Sequence, residues 1–221
     1  MLFDVDGTLL LSDDPLMGRS VIETLEETYG VDLAAGAIGH VDHRGQTTKR
    51  IARLVLHAVG LDDAAIDAKL DAWCPRSAAR YLDLLQEFDP VFEARAGAAD
   101  ALAALSSEVS LGLLTGNPEP AARARMERLG LEQFFPSGQG GFGCDAEERW
   151  DLIRVARARA GSTDAPWPAE RTVVVGDTPR EVASARAAGA LAIGIGGSDL
   201  EGANALVADL RELPAVLRRL L

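Results

Sequence analysis

The chain has 221 residues, of which 48% are hydrophobic, enough for one large core or for a core domain and a smaller second domain. Its 34 acidic and 22 basic residues give a net charge of −12, which disfavours non-specific binding to nucleic acid or to an anionic membrane. No apolar run approaches the roughly 20 residues of a membrane span, and the first residues lack the pattern of a secretory signal. We therefore expect a cytoplasmic protein, a monomer or a homodimer.

The two cysteines give no sign of a linked or metal-bound pair. Cys74 and Cys144 are far apart in the sequence, with no CxxC motif and no Cys/His cluster around them. Both a disulfide framework and a zinc site usually show closer or repeated spacing. The sequence therefore predicts two free thiols.

The first element is a short aliphatic run, LFDVDG, and a long helical stretch follows it. Residues 15–88 contain three helical patterns, GRSVIETLEETYG, TTKRIARLVLHAVG and DDAAIDAKLDAWCPRSAARYLDLLQEF, and no strand-like run. A helical insertion of this length after a first strand predicts a small domain joined to the rest by two linkers. We expect a core of residues 1–14 and 89–221 and a helical cap of residues 15–88.

Strands and helices then alternate to the end of the chain. The runs SLGLLTGN, TVVVGDT, LAIGIGG and ALVAD are predicted strands, and 98–107, 119–129, 147–160 and 179–188 are predicted helices, with a terminal helix LPAVLRRLL. Uniformly apolar strands are typical of a parallel sheet covered by helices on both faces. The pattern predicts an α/β fold: a Rossmann-like, doubly wound parallel sheet core with an inserted α-helical cap domain.

Polar side chains follow several of these strands. They are Asp4 and Asp6 after the first strand, Thr115, Gly116 and Asn117 after the second, and Asp177 after TVVVGDT. In an open α/β sheet, ligands bind at the carboxyl ends of the strands. Carboxylates without imidazole or thiolate favour a hard cation such as Mg²⁺, and a hydroxyl with backbone amides before a helix suits a phosphate oxygen.

The motifs DVDGTL, LLTGN and VVVGDTPRE, in this order and with a helical insertion after the first, resemble those of the haloacid dehalogenase superfamily of phosphohydrolases. More narrowly, the layout is similar to the branch of phosphoglycolate phosphatase, β-phosphoglucomutase and phosphonatase. The resemblance implies that Asp4 is the nucleophile that forms an aspartyl-phosphate, and that Asp6 is the general acid and base. It implies that Mg²⁺ is bound by the Asp4 carboxylate, the Asp6 carbonyl and Asp177, and that Thr115 binds a phosphoryl oxygen. The positions Gly7, Thr8, Gly116 and Asn117 would bind substrate.

The superfamily pattern also requires a basic residue after the third strand. Both lysines, Lys49 and Lys69, lie in the predicted cap, so Arg149, after the glycine-rich run GGFGCD, is the candidate. Glu181 stands where the family most often has an aspartate that supports the metal. With Thr178 and Pro179 it also forms the pattern of a helix capping box, and both roles remain open.

The cap contains a basic run, GHVDHRGQTTKRIARLVL, in an otherwise acidic chain. In capped relatives the loop before this helix closes over the active site, which suggests Arg44, Gln46 and Thr47 as specificity residues. His40 and His43 are predicted to be surface residues.

Together these features predict a Mg²⁺-dependent phosphatase that acts on a small phosphorylated metabolite, with a cap that opens for substrate and closes to exclude water. A sugar-phosphate mutase of the same fold and a non-catalytic phosphate-binding protein are the alternatives. The sequence does not name the substrate.

Overall fold

A computed structural model describes residues 1–34, 36–196 and 200–220 of the chain. Its sheet has five parallel strands in the order β2-β1-β3-β4-β5. The strands are β1 Leu2–Phe3, β2 Gly112–Leu113, β3 Val173–Gly176, β4 Leu191–Ile195 and β5 Ala205–Val207. The predicted α/β class with a parallel sheet is confirmed. Gly197, in the predicted strand run LAIGIGG, and Leu221, in the predicted terminal helix, lie outside the described residues.

Eight α-helices accompany the sheet in the described ranges. They are α1 Pro15–Tyr29, α2 Thr48–Ala58, α3 Asp63–Phe88, α4 Ala98–Ser106, α5 Glu119–Arg128, α6 Arg149–Ala160, α7 Pro179–Ala187 and α8 Leu213–Leu220. None of these helices combines the length and the apolar character needed to cross a membrane.

Helices cover both faces of the sheet because successive side chains of a strand point to opposite sides. Phe3 and Val175 pack into one apolar cluster with α4, α5 and α8. Leu2 and Val174 pack into the other, with α6 and α7. The strands are therefore buried on both sides, which explains their uniformly apolar sequences.

The helical stretch 15–88, here called the cap segment, has an apolar cluster of its own. Leu25 of α1, Leu56 of α2 and Trp73 of α3 are fully buried in it. Side-chain caps begin each helix: Asp14 accepts a hydrogen bond from the backbone N–H of Leu16, and Thr47 and Asp62 cap α2 and α3 in the same way. The separate cluster is what a distinct domain requires, although the domain boundaries themselves stay a prediction.

The expectation of two free thiols is wrong. Cys74 of α3 and Cys144, in the loop between α5 and α6, form a disulfide. Folding of the cap segment over the sheet brings their Cα atoms to 5.7 Å although the residues are 70 positions apart. The bond therefore joins the cap segment to the rest of the chain.

Candidate active site

The predicted site residues meet because β1 lies between β2 and β3 in the sheet. Asp4 follows β1, Thr115 follows β2 and Asp177 follows β3, so all three stand at the same edge. The backbone N–H of Asp4 donates to the Val175 carbonyl at 2.9 Å and continues the β1–β3 pairing beyond the strand. Parallel topology thus brings Asp4 together with residues that are more than 100 positions away in the sequence.

A buried ion network surrounds Asp4. Its Oδ1 accepts a hydrogen bond from Arg149 Nη2 at 2.5 Å, and the same nitrogen lies 2.9 Å from Glu181 Oε1. Burial raises the pKa of Asp4 well above its usual range, Arg149 lowers it, and the charges of Glu181 and Asp6 raise it further. Arg149 is the first residue of α6 and is buried, so its guanidinium is the counter-charge for both acids.

Glu181 uses both carboxylate oxygens in contacts with the protein. Besides the Arg149 contact at Oε1, Oε2 accepts from the backbone N–H of Thr178 at 2.7 Å and from the Thr178 hydroxyl. These bonds form the predicted capping box at the start of α7. The capping role is therefore present, and the same carboxylate also holds Arg149 next to Asp4.

Asp177 lies against the turn that follows Asp6. Thr8 donates its hydroxyl proton to Asp177 Oδ1 at 3.3 Å, and a β-carbon at Gly7 would lie 2.2 Å from Asp177 Oδ2. Gly7 also has a φ of +80°, so only glycine suits this position. Burial raises the pKa of Asp177, and the nearby charge of Glu181 raises it further.

The residues present fit a divalent cation. The carboxylates of Asp4, Asp177 and Glu181 outnumber the one guanidinium of Arg149, and burial makes their negative charge costly without a positive partner. Among the described residues, no three acidic, histidine or cysteine side chains converge as a metal cluster. The predicted Mg²⁺ ligands, the Asp4 and Asp177 carboxylates and the Asp6 backbone carbonyl, are hard oxygen donors of the kind that Mg²⁺ prefers, and their role as ligands stays a prediction.

Thr115 and Asn117 link the second strand to Asp6. The Thr115 hydroxyl oxygen is buried and accepts from the Asn117 backbone N–H at 3.2 Å and from Asn117 Nδ2 at 3.0 Å. Asn117 Nδ2 also donates to Asp6 Oδ2 at 2.5 Å. Asn117, predicted to bind substrate, thus contacts Asp6, the predicted general acid. The Thr115 hydroxyl donates its own proton to no acceptor within the described ranges.

The cap segment lies directly on the second strand end. Thr48 donates its backbone N–H and its hydroxyl proton to the Gly116 carbonyl, each at 2.8 Å. A β-carbon at Gly116 would lie 2.0 Å from the Gln46 carbonyl oxygen. Arg149 Nη1 donates to the Gly45 carbonyl at 3.2 Å. The loop before α2 therefore covers the site.

Of the three predicted specificity residues, Thr47 already uses its hydroxyl in hydrogen bonds with other residues of the protein. Its buried hydroxyl donates to the Glu147 carbonyl at 2.7 Å and accepts from the Arg50 backbone N–H at 3.1 Å. Arg44 is exposed and Gln46 is half-buried. Their part in substrate recognition stays a prediction.

Asp4 is closed off from solvent in this arrangement. It is 5% exposed, and the loop before α2 lies over it. A cavity of about 850 Å³ lies at the other edge of the sheet, lined by residues such as Met1, Ser110 and Val173, and contains none of the predicted site residues.

Two arginines that hold the first strand end were not predicted. Arg95 donates from Nε to the Thr8 carbonyl at 2.9 Å and from Nη2 to the Gly7 carbonyl, which fixes the turn after Asp6. Arg125 of α5 donates from Nη1 to Asp6 Oδ1 at 3.0 Å, whereas Asn117 donates to Asp6 Oδ2. Neither residue stands in a motif, and arginine is common throughout the sequence, so no sequence signal distinguishes them from surface residues.

Residues 1–189 match the family described as haloacid dehalogenase-like hydrolase. A phosphoglycolate phosphatase of Rhodospirillum rubrum is 31% identical over 86% of this chain and 76% of its own length. A phosphoglycolate phosphatase of Synechococcus elongatus is 27% identical over 88% of this chain and 82% of its own length. Among solved structures, CbbY from Rhodobacter sphaeroides in complex with phosphate superposes with a TM-score of 0.63 at 23% identity, covering 96% of this chain and 94% of that one.

Proposed function

Because this chain belongs to the haloacid dehalogenase-like hydrolase family, we propose that it is a Mg²⁺-dependent phosphatase of small phosphomonoesters that works through an aspartyl-phosphate on Asp4. The observation that carries the proposal is the meeting of Asp4, Asp6, Thr115, Arg149 and Asp177 at one edge of the sheet. A carboxylate nucleophile, a second acid, a hydroxyl donor and a buried guanidinium are the groups that phosphoryl transfer needs.

Asp4 attacks phosphorus with its free carboxylate oxygen, and the bond from phosphorus to the leaving oxygen breaks. The other oxygen is held by Arg149, which favours the ionised form that burial disfavours. Arg149 and the free hydroxyl proton of Thr115 stabilise the charge on the phosphoryl oxygens. Bound Mg²⁺ supplies electrostatic shielding between the Asp4 carboxylate and the phosphate.

Asp6 transfers the protons. It is 54% exposed in its side chain and lies two residues after Asp4, where it can protonate the departing alkoxide. The resulting carboxylate then removes a proton from the water that attacks the aspartyl-phosphate, which releases inorganic phosphate and restores both residues. Asn117 and Arg125 hold its two oxygens during these steps.

The cap segment controls access. Opening admits the substrate, and closure of the loop at residues 45–48 over Gly116 excludes water from Asp4. Phosphoglycolate is the first metabolite to test, because the two curated relatives above carry the name phosphoglycolate phosphatase. Sugar phosphates complete the panel.

The test is phosphate release from para-nitrophenyl phosphate and from a panel of phosphorylated metabolites, with Mg²⁺ and with EDTA. We expect turnover that requires Mg²⁺ and that falls to background in Asp4→Asn, which removes the nucleophile while preserving its size. Asp13→Asn, which changes an exposed acid that follows the same motif, is the matched control and retains full activity. A wild-type protein that is silent across the panel contradicts the proposal.

A further inference from the structure

Arg125 is a fully buried arginine outside the motifs. Its side chain is 1% exposed, and it lies in the last turn of α5, a helix that packs against the sheet. Burying a guanidinium is strongly unfavourable unless good partners compensate. Its partners therefore indicate why the residue is there.

Two acids and a phenol surround the guanidinium. Nη1 donates to Asp6 Oδ1 at 3.0 Å, and Nη2 and Nε donate to Asp14 Oδ2 at 2.6 and 2.9 Å. Nε also lies 2.9 Å from the Tyr81 hydroxyl, which donates to Asp14 Oδ2 at 2.6 Å. Burial opposes the charge of Arg125, but Asp6, Tyr81 and Asp14 raise its pKa above the usual value.

The partners differ in what fixes them. Asp14 caps the first helix of the cap segment and is 2% exposed, and Tyr81 is a buried residue of α3. Asp6 is the only half-exposed member of the group, at the site edge. Asp14 and Tyr81 therefore anchor the guanidinium through Nε and Nη2, and Nη1 orients the Asp6 carboxylate.

We infer that Arg125 is a positioning residue for Asp6, which it holds in the orientation needed to protonate the leaving oxygen. The inference rests on the proposed function, in which Asp6 is the general acid. Arg125 thereby connects Asp6 to Asp14 and Tyr81, which lie near the start and the end of the cap segment. Asn117 supports the other oxygen of Asp6.

The test compares two leaving groups. Para-nitrophenolate leaves as a stable anion with little need of a proton, whereas an alkoxide needs the general acid. The quantity compared is kcat/KM, because it reports the steps up to departure of the leaving group and not the later hydrolysis of the aspartyl-phosphate, which is common to both substrates. In Arg125→Met we expect kcat/KM for the best alkyl monophosphate of the panel to fall about 100-fold and kcat/KM for para-nitrophenyl phosphate to fall less than about 10-fold. Asp6→Asn, measured alongside, gives the same selective loss in kcat/KM. A purely structural role lowers both kcat/KM values together.

Arg123→Met is the matched control, because Arg123 lies on the same helix and contacts Glu119 and the Phe135 carbonyl instead. It leaves the ratio of the two rates unchanged. Arg125→Lys keeps the buried charge but cannot reach Asp6 and Asp14 together, so it shifts the ratio as Arg125→Met does and decides the question if the methionine variant does not fold.

An unchanged ratio in folded Arg125→Lys, with active wild-type protein, overturns the inference alone. Inactive wild-type protein on both substrates overturns the proposed function and the inference with it.

Discussion

The cap segment is attached to the rest of the protein in two regions that use different chemistry. At the hinge, where the segment begins and ends, Asp14, Tyr81 and Arg125 form a buried ion network. At the lip, above Gly116, the contacts are backbone hydrogen bonds, ion pairs such as Arg53 with Glu147, and the Cys74–Cys144 disulfide.

The difference follows from what each region has to do. In the proposed opening of the cap segment the hinge stays together, so a network there can be buried without preventing access to Asp4. The lip separates in the proposed opening. Exposed ion pairs there, such as Arg180 with Asp42, break at low cost. The pair of Arg53 with Glu147, whose side chains are 11% and 25% exposed, costs more to break.

The disulfide is the exception, since it does not open without a reductant. Opening of the lip therefore requires reduction of this bond or a movement that leaves Cys74 next to Cys144. Changes at the lip should alter stability and access, whereas changes at the hinge should alter proton transfer.

Loss of the lip disulfide gives the largest expected effect on stability. Cross-linking residues 70 positions apart restricts the unfolded chain, and Cys144→Ser should lower the free energy of unfolding by about 4 kcal/mol in the chain-entropy treatment. The measurement is urea unfolding of wild-type and variant protein, each with and without dithiothreitol. The reductant should destabilise only the wild type, and the ratio of alkyl to aryl phosphate turnover should not change.

The matched control for this change is Ser77→Ala, a small buried residue on the same helix that has no hydrogen-bond partner in the described part of the chain. Titration of two free thiols in the oxidised wild-type protein would contradict the linkage itself.

The disulfide also illustrates what the sequence could not reveal. Asp4, Thr115 and Asp177 were found because each ends an apolar strand, and parallel strands bring their ends together. The relation of Cys74 to Cys144 depends instead on how α3 lies against the loop between α5 and α6. That placement is decided by packing of the cap segment, which has no short-range signature in the sequence.

The same limit applies to the side chains around Asp6. Arg125 stands in the helix sequence EPAARARMER among other arginines, and only its burial distinguishes it from Arg123 and Arg128. Glu181 shows the opposite case, because the capping-box pattern was readable and is present. Local hydrogen bonds can be predicted from spacing, whereas a buried ion pair between distant elements cannot.

Filling the space at the lip should have the next largest effect. In Gly116→Ala the new methyl group would overlap the Gln46 carbonyl oxygen, so the loop before α2 cannot close as it does in the native protein. We expect kcat/KM to fall about 100-fold, or roughly 2.7 kcal/mol in the activation barrier. Steady-state kinetics with para-nitrophenyl phosphate measure this change in kcat/KM.

Gly39→Ala serves as the control for that change, because a β-carbon at Gly39 meets no atom within 4 Å. It should retain wild-type kinetics. If Gly116→Ala also retained them, closure of this loop would not be part of the reaction.

The smallest expected effect comes from the exposed ion pair at the lip. Arg180 of α7 contacts Asp42 of the cap segment, and the two side chains are 39% and 72% exposed. Water and salt screen such a pair, so Asp42→Asn should lower the free energy of unfolding by less than about 1 kcal/mol, and less still at high salt. Glu27→Gln breaks the exposed pair with Arg76 inside the cap segment and should behave alike in urea unfolding. A much larger loss for Asp42→Asn alone would mean that the lip depends on its ion pairs for stability as strongly as the hinge does. The two regions would then differ in which residues they use, but not in how much their charges contribute to the free energy of unfolding.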